Sequence, residues 1–172
     1  MRILLFRHGP AGERDPERWP DDRLRPLTTR GETRTRRAAR GILRLEGGLR
    51  SVLTSPLLRC VRTAEILREE AGSSGTPETV KALAPGGSWR EVLLRLGEES
   101  PEASVALVGH EPDIGKFAGV LLFGAPASLP LKKAGACAID FDGAVTAGGG
   151  RLRWFLPPRA LASLHAKRSK VR

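Results

Sequence analysis

Six short apolar runs, separated by longer amphipathic stretches, constrain this chain more than any other feature. They lie at Ile3–Phe6, Ser51–Thr54, Thr79–Leu83, Ser104–Val108, Ala136–Phe141 and Leu152–Leu156. Between them a 3.6-residue apolar period predicts helices over Thr29–Glu46, Leu58–Glu70, Trp89–Glu98 and Ile114–Leu122, with a short one after Pro158. Strands that alternate with helices pair in parallel and need helices on both faces to cover them. The last two runs are joined only by Asp142–Gly150, so they read as an antiparallel hairpin at the sheet edge. The predicted fold class is therefore α/β: one domain with an open, mixed, mostly parallel sheet flanked by helices.

A chain of 172 residues with 40% hydrophobic content suits one core. The expected division is a domain over 1–158 followed by a basic C-terminal helix or tail over 159–172. No run approaches the roughly 20 apolar residues of a membrane span, so a cytoplasmic protein without membrane contact is expected. Cys60 and Cys137 have no C-x-x-C spacing and read as reduced core thiols, Cys60 on the side of its helix turned away from any chemistry. No metal-binding pattern of the H-E-x-x-H or clustered Cys/His kind occurs and no P-loop, so neither metal nor cofactor is expected.

The net charge of +10 raises the question of a polyanionic partner. Arg30, Arg34, Arg36, Arg37, Arg40 and Arg44 fall in the first helix, opposite an apolar stripe of Ala38, Ala39, Ile42, Leu43 and Leu45, as on a solvated face. The tail adds Arg159, Lys167, Arg168, Lys170 and Arg172 without an acid. With 5% aromatic content and no tyrosine, little is present for base stacking, which argues against nucleic acid.

Where strands end is more informative, because ligands in open α/β sheets sit beyond the C-terminal strand ends. The first strand leads into Arg7-His8-Gly9, the second into Ser55-Pro56 with Arg59 one turn on, and the fourth into Gly109-His110. Two of the chain's three histidines thus reach one edge; His165 in the tail has no such partner. Paired guanidinium forks suit the oxygens of a phosphoryl group, and a neutral histidine among them can act as a nucleophile. Gly9 reads as a place for close backbone approach to phosphate. The loop Ala11–Leu24 reads as one wall of a substrate mouth, ended by Pro26 and a cap at Thr28 or at Thr29, with Glu32 completing a capping box.

The ordered set "RHG", "SPLLRCVRTAE" and "GHEPD" resembles the histidine phosphatase superfamily, and its short SixA-type branch of phosphohistidine phosphatases most of all. "RPLTTRGETR" and "RWFLPP" are similar to further stretches of that branch, so the resemblance runs through nearly the whole chain. It implies a phosphoglycerate-mutase-like fold, His8 as the nucleophile, and Arg7, Arg59 and His110 as the grip on the phosphoryl group. Arg25 is implied at the pocket mouth.

One departure is informative. Larger branches of the superfamily carry a glutamate after the third strand that protonates an ester leaving group, whereas "VKALAPGGS" from Val80 to Ser88 holds no acid. An imidazole leaves more readily than an alkoxide, so the gap favours a P–N substrate. The expected partner is a phosphohistidine-bearing protein in signal transduction, such as a phosphotransfer domain or a phosphorelay carrier, met by a monomer. Glu13, Asp15, Asp21, Asp22 and Glu111 remain as candidate acids, so a general phosphomonoesterase stays an alternative. A non-catalytic polyanion-binding domain is the other.

Overall fold

A computed structural model describes residues 1–166; Lys167, Arg168, Lys170 and Arg172 of the basic tail lie outside the described residues, as does the His165 side chain. The strands are β1 (Arg2–Arg7), β2 (Ser51–Thr54), β3 (Glu78–Thr79), β4 (Ser104–Gly109), β5 (Ala136–Asp140) and β6 (Arg151–Leu156). The helices are α1 (Thr29–Glu46), α2 (Leu58–Glu70), α3 (Trp89–Leu96), α4 (Asp113–Phe123) and α5 (Pro158–Ala166). The sheet runs β3-β2-β4-β1-β5-β6. Its first four strands pair in parallel, and β5 and β6 are antiparallel, which gives the mixed sheet with an edge hairpin.

β1 shows why its sequence is apolar at every position rather than at alternate ones. Ile3 and Leu5 face the layer of α3 and α4, packing with Val92, Leu96, Ile114 and Phe117. Leu4 and Phe6 face the other layer, with Ala38, Ala39, Ile42, Ala64 and Leu67 of α1 and α2. All four strand residues are fully buried, so truncating Phe6 to alanine removes roughly 3–5 kcal/mol. α5 extends the second layer: Leu161 is buried against α1, where Gly41 lets the two backbones meet without a clashing Cβ.

The expected strand at Thr79–Leu83 is corrected. Only Glu78 and Thr79 pair with β2, and Lys81–Leu83 form a single 3-10 turn. Val80 N–H still reaches Thr54 O at 2.8 Å, but beyond it Ala82 and Leu83 both turn toward the α3–α4 core. A strand would send those consecutive side chains to opposite faces, and at the sheet edge only one face is covered. The α1 cap is Thr28, whose hydroxyl accepts from Gly31 N–H at 2.9 Å. Glu32 does not close a box with Thr29; its carboxylate accepts from Arg62 of α2. The arginines of α1 likewise divide. Arg36 and Arg40 pair with Glu69 and Glu70 of α2, while Arg30, Arg34, Arg37 and Arg44 stay exposed.

Among the described residues, no helix is long and apolar enough to cross a membrane.

Candidate active site

Register brings the reactive residues together. Arg7 of β1 pairs with Gly109 of β4, and Thr54 of β2 pairs with Val108. His8, Ser55 and His110 are therefore the first residues beyond three adjacent parallel strands. His8 N–H donates to Gly109 O at 3.0 Å, and Ser55 N–H donates to Val108 O at 3.0 Å, extending the ladder one step past the strands. The two imidazoles lie with centroids 5.3 Å apart, tilted by 57°.

His8 is 6% exposed, and its Nδ1 sits 2.7 Å from Gly9 O. A carbonyl oxygen only accepts, so Nδ1 carries the proton and Nε2 keeps its lone pair. Burial lowers the His8 pKa to about 3, against the opposing pull of the Gly9 bond and with help from His110, Arg59 and Arg7. At neutral pH the ring is uncharged and nucleophilic.

The guanidiniums converge on it. Arg59 in the first turn of α2 is 5% exposed, and Arg7 closes β1 with Nη1 donating to Leu131 O at 2.6 Å. Burial lowers the proton affinity of both. The Nε atoms of Arg7 and Arg59 are buried without a hydrogen-bond partner. A buried donor left unpaired is costly. α2 also begins without a side-chain cap, so its N-terminal N–H groups are not taken by one.

Asp22 organises this cationic group from the Ala11–Leu24 loop. Its Oδ1 accepts from Arg25 Nε at 2.8 Å, its Oδ2 from Arg59 Nη2 at 3.0 Å, and its carbonyl from Arg59 Nη1 at 2.8 Å. The Arg25 bond, with the charges of Arg59, Arg25 and Arg14, lowers its pKa to about 2. Arg25 also donates to Gly12 O at 2.7 Å, tying the loop's start to its end.

His110 is 4% exposed and shares a 2.7 Å hydrogen bond between its Nε2 and Ser55 Oγ. Burial, then Arg59, lowers its pKa to about 4. Cys60 is buried as expected but does not face away: its Sγ is 3.4 Å from His110 Nε2. Burial pushes its thiol well above the usual range, so it packs beneath the imidazole as an inert group.

Of the sequence-predicted residues, the structure brings together His8, Arg7, Arg59, His110 and Arg25. Gly9 is also required by packing. Its N–H donates to Thr63 Oγ1 at 3.1 Å, and a Cβ there would strike Thr35 of α1. The five candidate carboxylates also separate. Glu13 and Asp15 are exposed, Asp21 is bound to Arg23, and Asp22 is held ionised by Arg25 and Arg59. Glu111 has its pKa raised, by burial, while its Oε1 accepts from Leu131 N–H at 2.9 Å. Among the described residues, no cluster of three His, Cys, Asp or Glu side chains could hold a metal ion. The sequence reading missed the positioning contacts of Asp22 and Ser55. Ser55 carried a usable signal, since it follows β2 as His8 follows β1.

The histidine phosphatase superfamily (branch 1) model matches residues 3–113. An uncharacterized protein of Picosynechococcus sp. is 44% identical over 138 residues, 78% of this chain and 82% of that one. The phosphohistidine phosphatase SixA of Escherichia coli is 27% identical over 92% of this chain and 94% of its own. A SixA structure complexed with tungstate superposes with a TM-score of 0.79 at 27% identity, over 94% of this chain and 99% of that one. A phosphoserine phosphatase of Entamoeba histolytica shares the fold alone, at 17% identity and a TM-score of 0.66, over 92% of this chain and 98% of that one.

Proposed function

The chain belongs to the histidine phosphatase superfamily, and on that premise we propose that it is a metal-independent phosphatase acting on phosphohistidine borne by a protein, such as a phosphotransfer domain or phosphorelay carrier. The observation that carries this reading is a buried neutral His8 whose Nε2 lone pair is left free beside two guanidiniums with unpaired donors. The phosphoryl group enters between Arg7 and Arg59. His8 Nε2 attacks phosphorus as the P–N bond of the substrate breaks. The departing ring, protonated from solvent at its other nitrogen, leaves as neutral imidazole. Charge on the three equatorial oxygens is met by fixed guanidiniums and by an N–H of His110 rather than by a metal. Water then attacks phosphorus, the P–Nε2 bond breaks with its electron pair returning to His8, and inorganic phosphate departs with the water's proton.

The choice of a P–N substrate rests on the leaving group. Val80–Ser88 holds no acid, and Asp22, the loop carboxylate at the cradle, has a pKa of about 2 and so is ionised at neutral pH with no proton to give. The raised pKa of Glu111 favours the second reading, a phosphomonoesterase with Glu111 as its acid. Phosphate release from a phosphohistidine protein, a phosphoserine peptide and a small monoester, each repeated with His8→Ala, separates the two. Release from phosphohistidine alone, abolished in the variant, is the expected result. Comparable release from the esters, lost in Glu111→Gln, overturns it in favour of the second reading.

A further inference from the structure

Leu131, 1% exposed, lies in the segment between α4 and β5, and both of its backbone polar groups are taken by side chains. Its carbonyl oxygen accepts from Arg7 Nη1 at 2.6 Å, and its N–H donates to Glu111 Oε1 at 2.9 Å. A single buried residue thus joins the guanidinium that closes β1 to the carboxylate that follows His110. The segment is fastened again just beyond it. Ala134 N–H reaches Arg7 O at 3.2 Å and His8 O at 3.1 Å, and Arg7 N–H donates to Gly135 O at 3.1 Å. On the other side, Gly115 of α4 makes the room. A Cβ there would lie 2.8 Å from Glu111 Oε2 and 2.7 Å from Leu129 O, so a glycine lets the carboxylate and the segment both rest against the helix.

The two guanidiniums of the cradle are therefore anchored differently. Arg59 is bound directly by Asp22, through its carboxylate and its carbonyl. Arg7 has a neutral carbonyl as its partner, and the carboxylate stands behind that residue. With Nη1 committed to Leu131, Arg7 keeps its Nε buried and without a partner. A guanidinium is a rigid planar fork, so where that Nε points follows from where Leu131 O is held. Burial lowers the proton affinity of Arg7 and the charge of Glu111 raises it, so the carboxylate also favours the cation.

We propose that Glu111 is a positioning residue: by holding Leu131 N–H it fixes the carbonyl that aims the Arg7 guanidinium at the phosphoryl group. The proposal rests on the phosphatase reading above and gives Glu111 a task other than proton donation; tungstate binding tests it without turnover. Titration calorimetry on the full chain should give a tungstate Kd about tenfold weaker in Glu111→Ala, as when one charge-assisted contact loses its geometry. Glu111→Gln keeps an oxygen for Leu131 N–H and should stay within about threefold of the unaltered protein. The loss in Glu111→Ala should vanish in an Arg7→Met background and persist in an Arg59→Met background, since only Arg7 leans on Leu131. With a phosphohistidine protein, kcat should follow the same order among the Glu111 variants. If Glu111→Ala does not fold, Glu111→Asp, one methylene short of Leu131 N–H, is measured in its place. Unchanged tungstate affinity in Glu111→Ala overturns the proposal. So does a loss of equal size in both arginine backgrounds, which would make the effect of Glu111 on the fold general, and so does a Glu111→Gln variant as weak as Glu111→Ala. Turnover lost in Glu111→Gln with tungstate affinity intact overturns it in favour of a proton donor. Failure of the unaltered protein to bind tungstate, or Arg7→Met binding as well as it, instead removes the phosphatase reading and the role of Glu111 with it.

Discussion

His8, Ser55, Arg59 and His110 are each less than a tenth exposed, whereas every residue from Glu13 to Arg18 in the loop beside them is open to solvent. At the end of the same loop, Leu24 stands 60% exposed and lines a groove with Pro56, Pro85 and Leu58, itself 41% exposed. The first group is fixed by strand register and by hydrogen bonds that leave little freedom. The second is held by few contacts, apart from Asp22 and Arg25. The contrast separates two tasks: strand ends set the reaction, and the walls set what reaches it.

The largest effect that would break this division is at Arg59. Arg59→Met should lower kcat by about a hundred- to a thousandfold, as when one preorganised donor is lost, and should weaken tungstate binding. A variant within tenfold of the unaltered protein would show that the buried group does not set the rate.

The next sharpens the cost of burying two imidazoles. His8 and His110 titrate at about 3 and about 4 in the folded chain, below the 6.5 of an exposed histidine. The unfolded chain therefore binds more protons as pH falls below 6.5, and the folded state loses stability through that window toward pH 4 and 3. Between pH 6.5 and 5 each histidine should remove roughly 2 kcal/mol. Thermal denaturation of His8→Gln/His110→Gln should fall less steeply over the same range; parallel curves would contradict the burial.

The smallest effect belongs to the wall. Leu24→Ser should leave turnover of a small phosphoramidate unchanged and raise KM for a phosphohistidine protein a few-fold, about 1 kcal/mol of lost apolar contact. Equal effects on both substrates would erase the distinction between site and wall.

The same contrast explains what the sequence could disclose. α1 begins and ends where periodicity and capping residues place it, and α2 follows its periodicity, since those signals are local. Arg7, His8, Arg59 and His110 were legible because each ends a strand or follows one directly or by one turn. Gly9 disclosed only part of its setting, because the partner that forbids a side chain, Thr35, lies on a helix whose docking no local pattern encodes. β3 misled for a related reason: an edge strand is as long as its single neighbour allows. The contacts of Asp22 with Arg59, and of Cys60 with His110, join residues 37 and 50 positions apart, so they emerge only once the layers close.

The place of β1 in the sheet has a consequence for how the molecule forms. The strand that leads into His8 precedes the other five in chain order, yet its neighbours are β4 and β5. Arg2 pairs with Ser104 on one side and with Asp140 on the other, so its partners lie about a hundred residues or more downstream. A nascent chain must carry Ile3–Phe6 unpaired until β4 has left the ribosome. These four residues are apolar and uncharged, the kind of segment that chaperones and aggregates both capture. His8 gains its neutral, desolvated ring only when that wait ends, so catalytic competence arrives late, with the closing of the sheet.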